Sequence, residues 1–579
     1  MAMGGSSGLS RRGVLGAGAV VAGAAAGATI GAAAYGDSEI PPPGTGLQPT
    51  FKLDGTVPDK NLILHNGKIR TFDDANSEVG AVAIYGGRIV ATGAHLGQVQ
   101  HVLPVDAQVV DLQGHVAIPG MIEGHVHFCS LAIRPGYHVV IEKARNIAEI
   151  QAMLAARRAQ GVPAGQFVTA MGGWHTNMFA EHRLPTLAEL DAAVPDRGVL
   201  LYQGFTGPAA TNSIGKAFFE SAAVPSVVAA NGAIAAGANS EAALYNLRIL
   251  QTFDDKKRST LDAMSYAASV GITAVLDEVG FPIPGPPTPN QALSNFDGFH
   301  LYDAWRALHL QGRTFIRLQT NFLHNQNDIN LPELTQRLLN QFQLYGDDLL
   351  MTGGIGEWGA PGDGVGPVWT KAQQLIAAAQ WRNNNRALSL SALQAEIEGY
   401  EAMDAQFGIK GLRWRIDHVP VVTTELLDRL RAIGGAVQCG AFSYVSGTGT
   451  AAGAPFRFIL DHGIKAGIHL DGVHIAPLNP WFGVYYAATG RNALGNVINV
   501  GQQITRDEAV RLYTRENAWF LNMEDKLGTI ETGKLGDIVV LDRDYRAVAD
   551  ADLPWLQPIL TVVGGQIVHD SGELTGHGH

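Results

Sequence analysis

The sequence predicts an α/β chain built around a (β/α)8 TIM-like barrel, and three observations carry that reading. From about residue 116 onward, helix-like and strand-like segments alternate, as where Thr260 to Val270 runs into the apolar Gly271-Ile272-Thr273-Ala274-Val275-Leu276. Such alternation is the pattern of parallel strands wrapped by helices. At 579 residues the chain is too long for one simple domain, and it has room for a barrel of roughly 250 to 400 residues beside an accessory unit. The third observation is the short apolar run from Val116 through Pro119-Gly120-Met121-Ile122-Glu123-Gly124 to His125-Val126-His127. Side chains alternate along a strand, so histidines two apart at its end share one face and can grip one ion.

Taken in chain order, Ser10-Arg11-Arg12-Gly13-Val14-Leu15 and the Ala/Gly/Val stretch that follows to Ala34 resemble a twin-arginine export signal. Residues 1–34 are therefore expected to engage the Tat export machinery, with Ala32-Ala33-Ala34 as the cleavage site. The stretch is too weakly hydrophobic for a stable membrane span, so the expected location is the periplasm, cell envelope or medium. Residues 35–60, with Pro41-Pro42-Pro43-Gly44, read as a linker. Alternating segments over 61–115 read as antiparallel strands joined by Gly-Gly and Asn-Gly turns. The barrel is expected over 116–525, with Phe281-Pro282-Ile283-Pro284-Gly285-Pro286-Pro287 as a loop inserted at its mouth. Residues 526–579 hold a second β segment, Gly536 to Leu541 and Ile559 to Val563, and a tail.

Composition narrows the function classes. With 46% hydrophobic and 16% charged residues the chain can bury a large core. A formal charge of −12 offers no basic footprint for nucleic acid, and no Gly-x-x-x-x-Gly-Lys-Ser/Thr phosphate loop occurs. Two cysteines are too few for a disulfide framework. Cys129, just beyond His127, and Cys439, at the expected seventh barrel strand, read as small buried hydrophobes, with a ligand or redox pair as the alternative.

Several further motifs occur in a fixed order: Asn66-Gly67-Lys68-Ile69, Gly86-Gly87-Arg88-Ile89-Val90, Gly172-Gly173-Trp174, Arg183-Leu184-Pro185-Thr186, Pro195-Asp196-Arg197, Arg415-Ile416-Asp417-His418, Leu478-Asn479-Pro480-Trp481, and Gly528 to Ile538. Together with the His-x-His run they resemble the amidohydrolase superfamily over roughly residues 60 to 570. The likeness is to its family-3 branch, that of the N-substituted formamide deformylases. The resemblance implies that the N- and C-terminal strands meet in one small composite β-sandwich beside the barrel.

It also implies a metal centre at the C-terminal ends of the barrel strands. His125 and His127 end the first strand; His418 matches the strand-6 histidine; Asp471, in Ala466-Gly467-Ile468-His469-Leu470-Asp471-Gly472, matches the strand-8 aspartate. Two ligands of the pattern are absent. Ser391, in Leu390-Ser391-Ala392-Leu393-Gln394-Ala395, stands where the strand-5 histidine is expected, and Asp347 to Gly354 holds no counterpart of the strand-4 lysine. Gln203-Gly204-Phe205-Thr206-Gly207 replaces an early Asp-Gly-His. The expectation is one divalent ion per chain, zinc, held by His125, His127, Asp471 and His418 with a position left open. His469, on the same strand face as Asp471, is the first candidate to compensate; His474, His175 and Glu357 follow. Trp174, His175, Glu357 and Trp481 are candidate substrate contacts, and Phe442 and Tyr444 candidate pocket walls.

The chemistry then expected is hydrolysis of an amide-like carbon–nitrogen bond in a small molecule by a metal-activated water. Asp471 takes and returns the proton, and His418 polarises the carbonyl or orients the water. A metal-dependent lyase, hydratase or decarboxylase, or a degenerate barrel that only binds, stands as the rival. Self-association is left open.

Overall fold

The computed structural model describes residues 61–204, 207–278, 301–445 and 453–574. The export segment, the linker and the 281–287 loop lie outside the described residues. Among the described residues no helix is long and apolar enough to cross a membrane.

Eight short parallel strands carry the centre of the fold: Met121–Val126, Ile272–Asp277, Arg317–Phe322, Leu350–Ile355, Asn384–Arg386, Arg415–Asp417, Ala436–Gly440 and Ala466–His469. Each pairs with the next in parallel register, the fourth to the fifth through the Ile355 and Asn383 bridge. A last bridge, Val126 to Gly472, returns the eighth to the first, so the pairings close into a ring. A helix precedes every strand from the second on, in order Phe253–Ser269, Asp303–Leu310, Pro332–Asn340, Pro367–Ala378, Leu390–Phe407, Thr424–Ala432 and Phe456–His462. Local chemistry starts them. Thr252 accepts the Asp255 amide while the Asp255 carboxylate accepts the Thr252 amide, a reciprocal cap on the first helix.

The terminal segments meet in one connected sheet of eight strands. Leu62–Arg70, Glu78–Tyr85 and Arg88–Gly93 form its N-terminal side, with Val116–Pro119 parallel to the first of them. Ile538–Leu541 lies antiparallel to Val116–Pro119, and Pro558–Val563 and Gln566–Asp570 follow outward. Gly86 and Gly87, at φ 55° and 78°, make the expected tight turn. Asn66-Gly67 does not: it lies inside Leu62–Arg70, at a register shift between His65 and Ile69 with Asn66 at φ 58°. It is a bulge where a turn was expected.

The run ending in His125-Val126-His127 therefore serves two sheets. Val116–Pro119 belongs to the composite sheet and Met121–Val126 to the ring, with Gly120 between them. A side chain on Gly120 would meet Thr273 Oγ1 at 2.2 Å. The two units are also pinned by charge: Arg317 donates from Nε to Asp537 Oδ2 at 2.8 Å and from Nη2 to Oδ1 at 2.7 Å, both side chains under 5% exposed. Removing one partner leaves the other charge buried alone. Asp537→Ala is accordingly expected to cost about 3–5 kcal/mol, read by denaturant unfolding; a loss under about 1 kcal/mol would refute this account.

Between the first and second ring strands the chain makes an insert that periodicity did not reveal. It holds Tyr137–His138, Phe167–Met171, Gly198–Tyr202, Ala209–Thr211 and Ala233–Ile234 as a separate five-stranded sheet. Gly172-Gly173-Trp174, expected as an early part of the barrel, lies here: Trp174 is buried with Phe179, Leu190 and Val199 in the insert's own core.

Candidate metal centre

Strand geometry brings His125 and His127 to the C-terminal end of the first ring strand, and both are buried. His418 follows Arg415–Asp417, Asp471 lies two residues past Ala466–His469, and Glu357 lies two residues past Leu350–Ile355. The ring thus places five chemistry-bearing side chains at one mouth. His127 Nε2 lies 3.3 Å from Asp471 Oδ1 and 3.8 Å from Glu357 Oε2. His125 Nε2 lies 3.8 Å from Asp471 Oδ1 and 4.0 Å from Glu357 Oε2. His418 Nε2 lies 3.1 Å from Glu357 Oε1 and 3.8 Å from Asp471 Oδ2. Ligands about 2.0–2.2 Å from one tetrahedral ion stand about 3.3–3.6 Å apart; the spacings here bracket that range, and His125 with His127 and Glu357, or with His418 and Asp471, brings together donor atoms that could hold a cation.

Two further observations fit the same ion. The His125 Nε2 atom is buried with no hydrogen-bond partner, while Nδ1 donates to Asp417 Oδ2 at 2.7 Å. That arrangement leaves the Nε2 lone pair directed into the cluster, as metal-ligating imidazoles are held. The local field also calls for positive charge. Burial disfavours the imidazolium of His125, yet the Asp417 hydrogen bond and the charges of Asp417, Asp471 and Glu357 outweigh it and lift the group to about 10. Burial works against ionising Asp471 too, but His127 and its neighbours hold that carboxyl well below the usual range. Glu357 is likewise held low, chiefly by His418 against the effect of burial.

His125, Glu278 and Asp417 form another cluster of donor atoms, but Arg415 already neutralises it, reaching Asp417 Oδ1 from Nε at 3.0 Å and contacting Glu278. Asn321 donates to Glu278 Oε1 and Asn384 to Asp417 Oδ2, completing a polar belt beneath the centre. Gly356 makes room for it: a Cβ there would meet Asn384 Oδ1 at 1.8 Å and Glu278 Oε2 at 2.5 Å. The belt holds Asp417, and Asp417 holds His125. Asp417→Asn is therefore expected to weaken metal affinity about 10–100-fold in a competition titration against a chromophoric chelator; unchanged affinity would count against the role.

Backbone strain marks the same place. His418, Asp471 and Val473 adopt left-handed φ of 66°, 54° and 72°, a region costing non-glycine residues about 1–3 kcal/mol each. The conformations turn the chain sharply just past the sixth and eighth strands, which aims both ligand side chains across the mouth.

Several expectations need correction. Ser391 is not on a strand: Leu390–Phe407 is a helix, and the hydroxyl of Ser389 caps it. A segment that begins Leu-Ser-Ala-Leu-Gln is helix-forming, and the fifth strand is the shorter Asn384–Arg386 just before it. Its last residue is Arg386. No lysine stands on the fourth strand, but Glu357, ranked low from sequence, joins the ligand cluster from that strand's end. His469 is buried and its ring lies 4.8 Å from those of His125 and His418, yet it belongs to none of the ligand groupings. Burial and the neighbouring imidazoles keep it neutral. Trp174 and Trp481 are core residues, Trp481 stacked near Tyr545 on the buried face of Pro480–Thr489. Their size is used for packing in the core. Tyr444 packs on Phe482, whereas Phe442 lies 5.3 Å edge-on to His418 and does border the centre.

His175 is half-buried and accepts the Asn177 amide. His474 contacts Ser130, and its ring lies 5.2 Å from that of His127. Cys129 and Cys439 are buried free thiols outside the ligand groupings, and burial pushes Cys439 up to about 12. Of Gln203 to Gly207, residues 205 and 206 lie outside the described residues. Sequence reasoning missed Asp417 although it stands beside His418, because a carboxylate that orients a ligand has no spacing signature of its own.

The amidohydrolase family model matches residues 108–569. The chain belongs to the amidohydrolase family. It is 23% identical over 570 residues to an N-substituted formamide deformylase of Arthrobacter pascens, covering 88% of this chain and 98% of that one. Among solved structures it resembles an uncharacterised metal-dependent hydrolase from Pyrococcus horikoshii OT3, at TM-score 0.57 and 18% identity over 85% and 99% of the two chains. An uncharacterised metal-dependent hydrolase from Pyrococcus furiosus gives 0.54 and 19% over 84% and 100%. An atrazine chlorohydrolase from Arthrobacter aurescens TC1, complexed with zinc, gives 0.50 and 16% over 88% and 95%. Membership of this family makes the protein a metal-dependent hydrolase of non-peptide carbon–nitrogen bonds.

Proposed function

We propose that this amidohydrolase is an exported enzyme that hydrolyses N-acyl amines, N-formyl amines first among them, with one zinc ion at the mouth of an eightfold barrel. The observation that carries the reading is the cluster of His125, His127, Glu357, His418 and Asp471, within which His125, His127 and Glu357, and His125, His418 and Asp471, each bring together donor atoms that could hold a cation. The closed ring of eight strands supports the barrel. The formamide deformylase likeness supports the substrate class, and the zinc-complexed chlorohydrolase supports the metal.

His125, His127 and Asp471 would hold the ion, with Glu357 and His418 at its other side. When bound, zinc supplies Lewis acidity and brings a water's pKa toward about 7. The chain's own groups do the rest. Asp471, buried and facing His127 at 3.3 Å, takes the proton from the attacking water and delivers it to the leaving nitrogen. His418, held by Glu357 on one side and Phe442 on the other, orients the scissile carbonyl. Asp417 fixes His125 in one tautomer.

Wild-type protein purified without chelator is expected to carry about one zinc per chain and to release formate from N-formyl amines, losing this on chelation and regaining it with zinc. Absence of stoichiometric metal in folded protein would overturn the mechanism; product formation without loss of an acyl group would favour the lyase or hydratase reading. Export is tested by fusing residues 1–34 to a reporter and comparing Arg11 and Arg12 with a lysine pair.

A further inference from the structure

Arg386 ends the fifth ring strand. Side chains alternate along Asn384–Arg386: Asn384 points to the interior and donates to Asp417, whereas Asn385 turns outward to Gln373 and Tyr400. Arg386 therefore shares the interior face with Asn384 and lies one step nearer the mouth, where the metal cluster sits. Its guanidinium stacks on Trp358 at 4.3 Å from the ring centre, which sets the plane of the fork.

Among the described residues the guanidinium makes no side-chain hydrogen bond. Its approaches to Glu357 Oε1 and Asp363 Oδ1 are both 3.6 Å, longer than a hydrogen bond. Glu357 Oε1 is already engaged by His418 at the shorter 3.1 Å. Asp363 is half exposed, so its pairing contributes little. Yet Nε is buried without a partner while a third of the side chain stays exposed. A fork oriented by an aromatic face, partly exposed and left with unmade bonds, matches a planar carboxylate in two-point contact.

We propose that Arg386 receives a carboxylate of the substrate, so that the preferred compounds are acidic N-acyl amines in which the carboxylate lies a few bonds from the scissile nitrogen, as in N-formyl amino acids. This rests on the hydrolase reading above for the reaction, but not for the binding. Arg386 is a specificity-determining residue on this account, set beside the cluster through Glu357.

The test uses the zinc-loaded full chain, as wild type, Arg386→Met and Arg386→Lys, with metal content measured for each. N-formylphenylalanine and N-formylphenethylamine differ only by the carboxylate, and 3-phenylpropanoate is a carboxylate with no bond to cleave. In calorimetry, wild type is expected to bind 3-phenylpropanoate at least tenfold more tightly than Arg386→Met, with Arg386→Lys between. The ratio of kcat/KM for the acidic over the neutral substrate is expected to fall at least tenfold in Arg386→Met. Equal binding of 3-phenylpropanoate by wild type and Arg386→Met, an unchanged ratio, or loss of zinc from Arg386→Met would each overturn the proposal, the last by making Arg386 a counter-ion of Glu357. If wild type cleaves neither substrate, the hydrolase reading fails on its own, and the calorimetry still decides Arg386.

Discussion

Replacing His125 and His127 together with alanine is expected to take the bound metal from about one ion per chain to none, while the far-ultraviolet circular dichroism stays that of wild type. The two imidazoles supply donors that reach both Glu357 and Asp471, and without them neither ligand grouping that contains Glu357 or Asp471 keeps its three donors. The ring does not depend on them. Its strands are held by their ladder pairings and by apolar packing of residues such as Ile416, Val437 and Ile468, none of which touches the centre's chemistry. Metal content by mass spectrometry decides the matter. Stoichiometric metal retained in the double variant would move the site elsewhere in the molecule.

Asp471→Asn is expected to lower kcat about 10²–10⁴-fold, the range for loss of a positioned proton carrier, while zinc content falls much less. Asparagine keeps an oxygen at the ligand position and the size of the side chain, so His125, His127 and Glu357 still hold the ion. What it cannot do is accept a proton at neutral pH. The comparison of turnover with metal content separates the two roles of this residue. Equal loss of both would make Asp471 a ligand alone, and the proton carrier would then be sought at Glu357, the other carboxylate in contact with the histidines.

The distinction between legible and hidden features runs along the chain's own physics. His125 and His127 were legible because strand alternation puts them on one face, and His418 and Asp471 because the family resemblance implies them; the structure brings all four together. Glu357 was visible only as one candidate among several, since a Gly-Glu-Trp run states nothing about which strand it follows. Ser391 was misplaced because the fifth strand is three residues long, too short to show a period, and the helix Leu390–Phe407 follows close behind it. Trp174 and Trp481 lie in the core, a placement the sequence does not state, because an aromatic side chain looks the same in sequence whether it lines a pocket or fills a core.

The sequence by itself determined the alternation of strands and helices and the residue types available to bind a cation, since these depend on local period and composition; that the two chain ends meet was implied by the family resemblance. The tertiary structure alone decided which carboxylate completes the cluster, that Asp417 holds His125, that Arg415 neutralises the belt beneath, and that Arg386 faces the mouth. Those facts arise from contacts between residues up to hundreds of positions apart, set by how the ring closes, and no local pattern along the chain records them.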